Sequence, residues 1–233
     1  MRLSDNVSKR ILIVGCAGSG TTLMRRLFYG FRGVELVTVG SSKNIEETSL
    51  EAFIKYKSDS PVLVGKRVKA TIFSTDTLGK QALEKQAGII RKRKILVVNM
   101  IRDGRDVILS TVTSKKIPVT PRRWIHSMRH RRMYPDLIAY EAKYEDVIRS
   151  PMRIQSEMAA KLGLTILCNW DTYPDFVPAK EFKMRGSGRD KRYGARRLSN
   201  ARIGKDPKAY LTIIKKPLLV RHFEKELELA GYL

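Results

Sequence analysis

Residues 11–28, ILIVGCAGSGTTLMRRLF, combine an apolar run, a glycine-rich turn and a helical pattern. The turn contains three glycines, Gly15, Gly18 and Gly20. Glycines let backbone N–H groups approach an anion closely, and a following helix adds its positive N-terminus. Thr21 and Thr22 add hydroxyl groups at the same point. The segment therefore predicts a phosphate-binding loop. The alternative is a glycine turn between strand and helix that binds no ligand.

The loop lacks the lysine of a nucleoside triphosphate site. The pattern G-x-x-x-x-G-K-[ST] would place lysine at position 21, where this chain has Thr21. That lysine reaches the terminal phosphates, and the next hydroxyl side chain holds magnesium. Its absence argues against ATP or GTP, although a metal-dependent nucleotide kinase of the P-loop class stays an alternative.

A second segment whose residues could bind a ligand is MIRDGRDVILS, residues 100–110. Arg102 follows a strongly apolar predicted strand, and Ser110 lies on the helix predicted after it. Ligands of parallel sheets collect at the carboxyl ends of the strands, so Arg102 should stand on the same side as the glycine loop. Arginine can grip a phosphate through two hydrogen bonds. A solvent-exposed ion pair at a helix start is the alternative.

Strand and helix patterns alternate along the chain and position these residues. Strands are predicted at 10–15, 34–39, 61–65, 94–101 and 137–145. Helices are predicted at 20–30, 44–57 and 74–91, from 104, and at 121–133, 151–162 and 207–230. This alternation predicts an α/β fold with a P-loop-like parallel sheet flanked by helices. With 233 residues, the chain should form a single domain over 1–233.

The composition is globular and strongly basic. Hydrophobic residues make up 42%, and 46 Lys and Arg against 23 Asp and Glu give a formal charge of +23. The excess favours an anionic partner, with a solvated basic surface as the alternative. Regularity fades at 163–205, and residues 180–208 hold eleven Lys and Arg against three Asp and Glu. A long basic loop of this kind is usually functional or disordered.

Together, the glycine loop and the Arg102 segment resemble PAPS-dependent sulfotransferases. These enzymes transfer sulfuryl from 3′-phosphoadenosine-5′-phosphosulfate (PAPS) and release adenosine 3′,5′-bisphosphate (PAP). The resemblance implies that SGTT, with Ser19 and Gly20 before the two threonines, binds the 5′-phosphosulfate without a metal. It implies that Arg102 and Ser110 bind the 3′-phosphate. This implication explains why position 21 lacks the lysine of the P-loop pattern, because PAPS has no metal-bound γ-phosphate for that lysine to bind.

Further segments along the chain show the same resemblance. LSNARIGKDP, residues 198–207, is similar to the family's cofactor-closing loop, which implies Ser199 and Lys205 as cofactor contacts. SGTTLMRRLF, RDGR and LSNARIGK are nearest to tyrosylprotein sulfotransferases. YEDVIRSP, residues 144–151, resembles a structural strand-to-helix segment of the family.

The chain departs from the family pattern at Gly18, where members usually carry Arg or Lys. A basic contact to the phosphosulfate must then come from elsewhere, and Lys66 and Lys205 are the candidates. Lys66 lies in GKRV, after a short predicted strand. The acidic IEET, residues 45–48, occurs later than in the relatives and suggests Glu47 as the base for the acceptor proton, with His126 as a second candidate.

The remaining predictions concern partners and location. The acceptor should carry a hydroxyl group, and the net charge favours an anionic one. The basic run of the 121–133 helix could grip it or form a solvated face, while Trp124 and Met128 should belong to the core. No apolar run is long enough to span a membrane, and two cysteines without a disulfide framework fit a cytoplasmic location. A nucleic-acid-binding protein is the rival from another class, although no binding module is recognisable.

Overall fold

The computed structural model describes residues 7–37, 50–67, 73, 79–113, 119–178, 181, 211, 214 and 216–233, with the backbone alone at 110–113. Its strands are β1 (Lys9–Gly15), β2 (Val34–Leu36), β3 (Val62–Lys66), β4 (Leu96–Ile101) and β5 (Ile138–Lys143). They form one parallel sheet in the order β2-β3-β1-β4-β5. The predicted α/β class with a parallel sheet is confirmed.

Helices connect and cover the strands. They are α1 (Thr21–Leu27), α2 (Leu50–Lys55), α3 (Lys80–Lys92), α4 (Gly104–Thr113), α5 (Pro121–Met133), α6 (Tyr144–Arg149), α7 (Pro151–Leu162) and α8 (Pro217–Leu229). None of the helices in these ranges is long and apolar enough to cross a membrane. Cys16 and Cys168 are both free thiols.

Helix packing on both faces explains why β1 is apolar along its whole length. Ile11 and Ile13 pack into a core with side chains of α1 and α7. Leu12 and Val14 pack into a second core with side chains of α2 and α3. Since successive strand residues point to opposite faces, a strand covered on both sides must be apolar at every position.

The sheet order determines which loops meet at its carboxyl edge. β1 lies between β3 and β4, with Ile13 opposite Lys66 and Gly15 opposite Met100. From β1 the chain runs to β2 and then β3 on one side of β1, and then crosses to β4 on the other side. Such a reversal of strand order is where ligands bind in open parallel sheets. The glycine loop after β1 therefore lies between the ends of β3 and β4.

Several element boundaries differ from the predictions. The helix predicted over 207–230 begins at Pro217, because proline suits the first turn of a helix and disfavours helical conformation in the residue before it. The strand predicted over 137–145 ends at Lys143, and α6 begins at Tyr144. Of the helix predicted over 44–57, the described part is Leu50–Lys55.

Three arginines of the basic run of α5 form ion pairs within the fold, which neither sequence interpretation of the run anticipated. Arg132 donates to the Glu226 carboxylate of α8 at 2.6 and 2.8 Å, and Arg129 lies 3.3 Å from the same group. Arg131 donates to Glu141 of β5 at 2.5 and 2.6 Å. The arginines thus join α5 to two other elements. On the inner face of α5, Trp124 is fully buried, and Met128 is buried too, as predicted.

Glu226→Gln is expected to lower the free energy of unfolding by about 1–2 kcal/mol. The Glu226 side chain is only 5% exposed, but Arg129 and Arg132 are 49% and 35% exposed and regain water when the charge is lost. The cost should therefore stay below that of breaking a fully buried pair. Denaturant unfolding measures the change. Glu228→Gln, an exposed position of the same helix, is the matched control, and an equal effect of both substitutions would contradict the assignment.

Candidate anion-binding site

The glycine loop adopts a conformation that requires glycine. Gly18 and Gly20 have φ angles of +88° and +95°, in the region that side chains rarely adopt. Ser19 closes the turn, since its hydroxyl donates to the Cys16 carbonyl at 2.7 Å. Gly20 caps α1 and has no side-chain oxygen to offer to the first N–H groups of the helix. The glycine turn leading into a helix is therefore present where the sequence predicted it, and the binding of an anion by its backbone N–H groups stays a prediction.

Tyr144 packs directly on this loop. A Cβ atom added at Gly20 would lie 2.5 Å from Cδ2 of the Tyr144 ring. Gly20 therefore serves two needs, the left-handed backbone and the close approach of an aromatic ring. Tyr144 was not a predicted site residue. The available signal was its position immediately after the carboxyl end of β5, the strand next to β4.

Gly20→Ala is expected to lower Tm by about 4–8 °C, because a left-handed alanine and a displaced Tyr144 together cost about 2 kcal/mol. Differential scanning calorimetry gives the shift. Gly88→Ala in α3 is the control, because a Cβ atom there meets nothing within 4 Å. Alanine favours a helix interior by up to about 1 kcal/mol over glycine, so this control should keep or raise Tm. An unchanged Tm in Gly20→Ala would show that the ring does not constrain the loop.

Lys66 reaches the loop from the neighbouring strand. It is the last residue of β3, is 4% exposed, and its Nζ donates to Thr22 Oγ1 at 2.8 Å. The ammonium group therefore lies at the first turn of α1. The loop has no basic residue at positions 18 and 21, but Lys66 from β3 brings an ammonium group close to it.

Arg102 approaches from the other side, after β4. Its Nη1 donates to the Gly18 carbonyl at 3.2 Å, and its Nη2 lies 3.4 Å from Asp106 Oδ2 on the first turn of α4. The guanidinium carbon lies 4.2 Å from the centre of the Tyr144 ring, a cation–π contact. These contacts orient a mostly buried guanidinium against the glycine loop.

Asp106, which contacts Arg102, also lines a cavity with other carboxylates. The cavity measures about 350 Å³ and is lined by Asp103, Asp106, Glu145 and Asp146 together with Lys143 and Arg149. Burial raises the pKa of the Glu145 carboxyl, and the charge of Arg102 opposes that rise. Because carboxylates dominate this lining, the cavity itself does not favour an anion.

The other predicted site residues are Ser110, His126, Glu47, Ser199 and Lys205. Ser110 lies on α4, where the backbone alone is described. His126 lies on α5, with its ring 6.2 Å from that of His130. Glu47, Ser199 and Lys205 lie outside the described residues. Across the described ranges, no group of three or more His, Cys, Asp or Glu side chains could hold a metal ion.

Comparison of the coordinates with solved structures identifies the fold. The chain is similar to the sulfotransferase domain of the Synechococcus olefin synthase, with a TM-score of 0.53 and 12% identity over 100% of this chain and 98% of that one. It is also similar to the sulfotransferase domain of the curacin biosynthetic pathway, with a TM-score of 0.51 and 13% identity over 97% and 99% of the two chains.

A mouse sulfotransferase solved in complex with PAP is a third similar structure, with a TM-score of 0.50 and 12% identity over 94% of this chain and 83% of that one. No protein-family model matches the sequence, and no curated protein matches it. The fold is that of these sulfotransferase structures, which is the fold that the resemblance of the loop and Arg102 motifs implied. At these identities the likeness defines the fold and leaves the activity to be argued from the site.

Proposed function

We propose that this protein transfers a sulfuryl group from PAPS to a hydroxyl group of an acceptor. The observation that carries the proposal is the pair of cations on either side of the glycine loop. Lys66 contacts Thr22 from β3, and Arg102 contacts Gly18 from the end of β4. A ligand with two separate anionic groups suits this arrangement better than a ligand with one. The similar mouse sulfotransferase, solved with PAP, agrees with it.

The residues divide between the two ends of the donor. Gly18 to Thr22 bind the phosphosulfate through backbone N–H groups other than that of Ser19, which donates to the Cys16 carbonyl at 3.0 Å. Arg102 with Ser110 binds the 3′-phosphate. Ser199 and Lys205 contribute from the C-terminal segment. The donor supplies a sulfur atom that is open to attack and a phosphate leaving group. The centre of the Tyr144 ring lies 4.2 Å from the guanidinium carbon of Arg102, so that the guanidinium is oriented before the ligand arrives.

In the transfer, the acceptor oxygen forms a bond to sulfur while the bond from sulfur to the bridging oxygen breaks, and PAP leaves. Negative charge grows on the bridging oxygen as that bond lengthens. Fixed cations at the loop stabilise that charge, and Lys66 is placed to do so, with Lys205 as the second candidate. The acceptor proton goes to a base, for which Glu47 and His126 are proposed.

We further propose that the acceptor is anionic. The support is the formal charge of +23. Since Arg129, Arg131 and Arg132 of α5 are engaged with Glu226 and Glu141, the acceptor should be attracted by other basic residues.

Isothermal titration calorimetry tests the cofactor. PAP should bind without metal and more tightly than AMP, because AMP lacks the 3′-phosphate assigned to Arg102. Parallel titrations with ATP plus magnesium and with duplex DNA test the kinase and nucleic-acid alternatives. Equal affinity for PAP and AMP would contradict the proposal. Screening of hydroxyl compounds with labelled PAPS would then identify the acceptor.

A further inference from the structure

The end of α1 that lies away from the glycine loop is held by residues far along the chain. Trp170 Nε1 donates to the Leu27 carbonyl at 2.8 Å. Arg26 Nη2 donates to the Glu181 carbonyl at 2.7 Å. Arg25 Nη1 donates to the Glu181 carboxylate at 2.5 Å, across 156 residues of sequence. Glu181 therefore contacts α1 through both its backbone and its side chain.

Arg25 depends on Glu181 for its charge balance. Its side chain is 1% exposed, and that of Glu181 is 10% exposed. Among the described residues, Nε and Nη2 of Arg25 have no hydrogen-bond partner. A buried guanidinium is costly unless a carboxylate compensates it, so the position of Arg25 is tied to that of Glu181.

Tyr29 completes the contact one turn further on. Its hydroxyl donates to Glu181 Oε1 at 3.0 Å, so both carboxylate oxygens are engaged by α1 and the turn that follows it. Burial, together with the Glu181 charge, raises the pKa of Tyr29 to about 12. The phenol thus stays protonated and keeps donating at neutral pH. Glu181 is held from two successive turns.

The contact between Arg25 and Glu181 lies one helical turn from the end of α1 that is proposed to bind PAPS. Thr21 and Thr22 begin the helix, and Arg25 follows them at the spacing that places side chains on one face. α1 is short, so a shift of its distal end moves Thr22 relative to Lys66. Misplacing a binding group by about 1 Å can cost about a hundredfold in rate.

We propose that Glu181 is a positioning residue for the donor site, acting through Arg25 on the placement of α1. This inference rests on the proposed function. A purely structural ion pair would contribute to Tm and leave the donor affinity of the folded protein unchanged. A positioning residue alters the Kd for PAP and the KM for PAPS in protein that is fully folded, while kcat at saturating PAPS changes less.

The test compares Glu181→Gln with Glu226→Gln by calorimetry with PAP, at a temperature where circular dichroism shows both variants folded. Glu181→Gln keeps the side-chain shape but removes the charge, and should weaken PAP about tenfold, which corresponds to about 1.4 kcal/mol. Glu226→Gln breaks an ion pair between α5 and α8, and should change the Kd for PAP by less than about twofold while lowering Tm.

Tyr29→Phe is the milder variant if Glu181→Gln does not fold, since it removes one hydrogen bond to the carboxylate and leaves the ion pair. It should weaken PAP about threefold. An unchanged Kd in the folded Glu181 and Tyr29 variants, or an equal loss in Glu226→Gln, would overturn the positioning role while wild-type binding keeps the proposed function. Failure of the wild type to bind PAP would overturn both.

Discussion

Lys66→Ala is expected to lower kcat by about a hundredfold to a thousandfold while changing the Kd for PAP by less than about threefold. Lys66 is buried at the end of β3, and its ammonium group contacts Thr22 at the start of α1. PAP lacks the sulfuryl group, so its binding uses little of this charge. The charge counts most when negative charge develops on the oxygen between phosphorus and sulfur.

The measurement uses labelled PAPS with the acceptor found by screening, and calorimetry with PAP on the same preparations. Lys66→Arg keeps the charge and should retain more activity than Lys66→Ala. Lys85→Ala on the exposed face of α3 is the control and should leave both quantities unchanged. Loss of PAP binding with turnover intact would assign Lys66 to ground-state binding instead.

Arg102→Ala is expected to weaken PAP by roughly tenfold to a hundredfold, since losing a hydrogen bond to a charged group costs about 1.5–3 kcal/mol. The affinity for AMP should stay nearly constant. The guanidinium is already oriented by Gly18, Asp106 and Tyr144, so little ordering is needed when the 3′-phosphate binds. The preference for PAP over AMP should therefore disappear in the variant.

Arg105→Ala is the matched control within the same segment. Arg105 is engaged by the Asp103 carboxylate at 2.6 Å and by the Tyr232 carbonyl at 2.9 Å. Its removal should lower Tm and leave the ratio of PAP to AMP affinity unchanged. If Arg102→Ala weakened PAP and AMP equally, the 3′-phosphate assignment would be wrong and the arginine would serve the loop alone.

Much of the scaffold follows from local sequence patterns. The continuous apolar runs around β1 and β4 identify strands covered on both faces, and these strands form where predicted. The three glycines of the first loop adopt positive φ angles, which is the conformation for which glycine is needed. Proline explains the start of α8 at Pro217, later than predicted. Such features depend on residues that are close together in the chain, and these can be seen directly in the sequence.

The contacts that make the site depend on residues far apart in sequence. Lys66 meets Thr22 across 44 residues, and Arg102 stacks on Tyr144 from the next strand of the sheet. The sequence does not show that Arg132 of α5 pairs with Glu226, a residue 94 positions away, or that Arg131 pairs with Glu141.

The sequence by itself therefore determined the α/β class, the glycine loop and the two segments that flank it. Only the tertiary structure decided that Lys66, one of two candidates from the sequence, contacts Thr22. It also decided that Tyr144 lies against Arg102 and that Arg25 is balanced by Glu181. The physical reason is that strand and helix formation are governed by spacing along the chain, whereas a side chain's partner is chosen by strand order and helix packing, which bring distant residues within hydrogen-bonding distance.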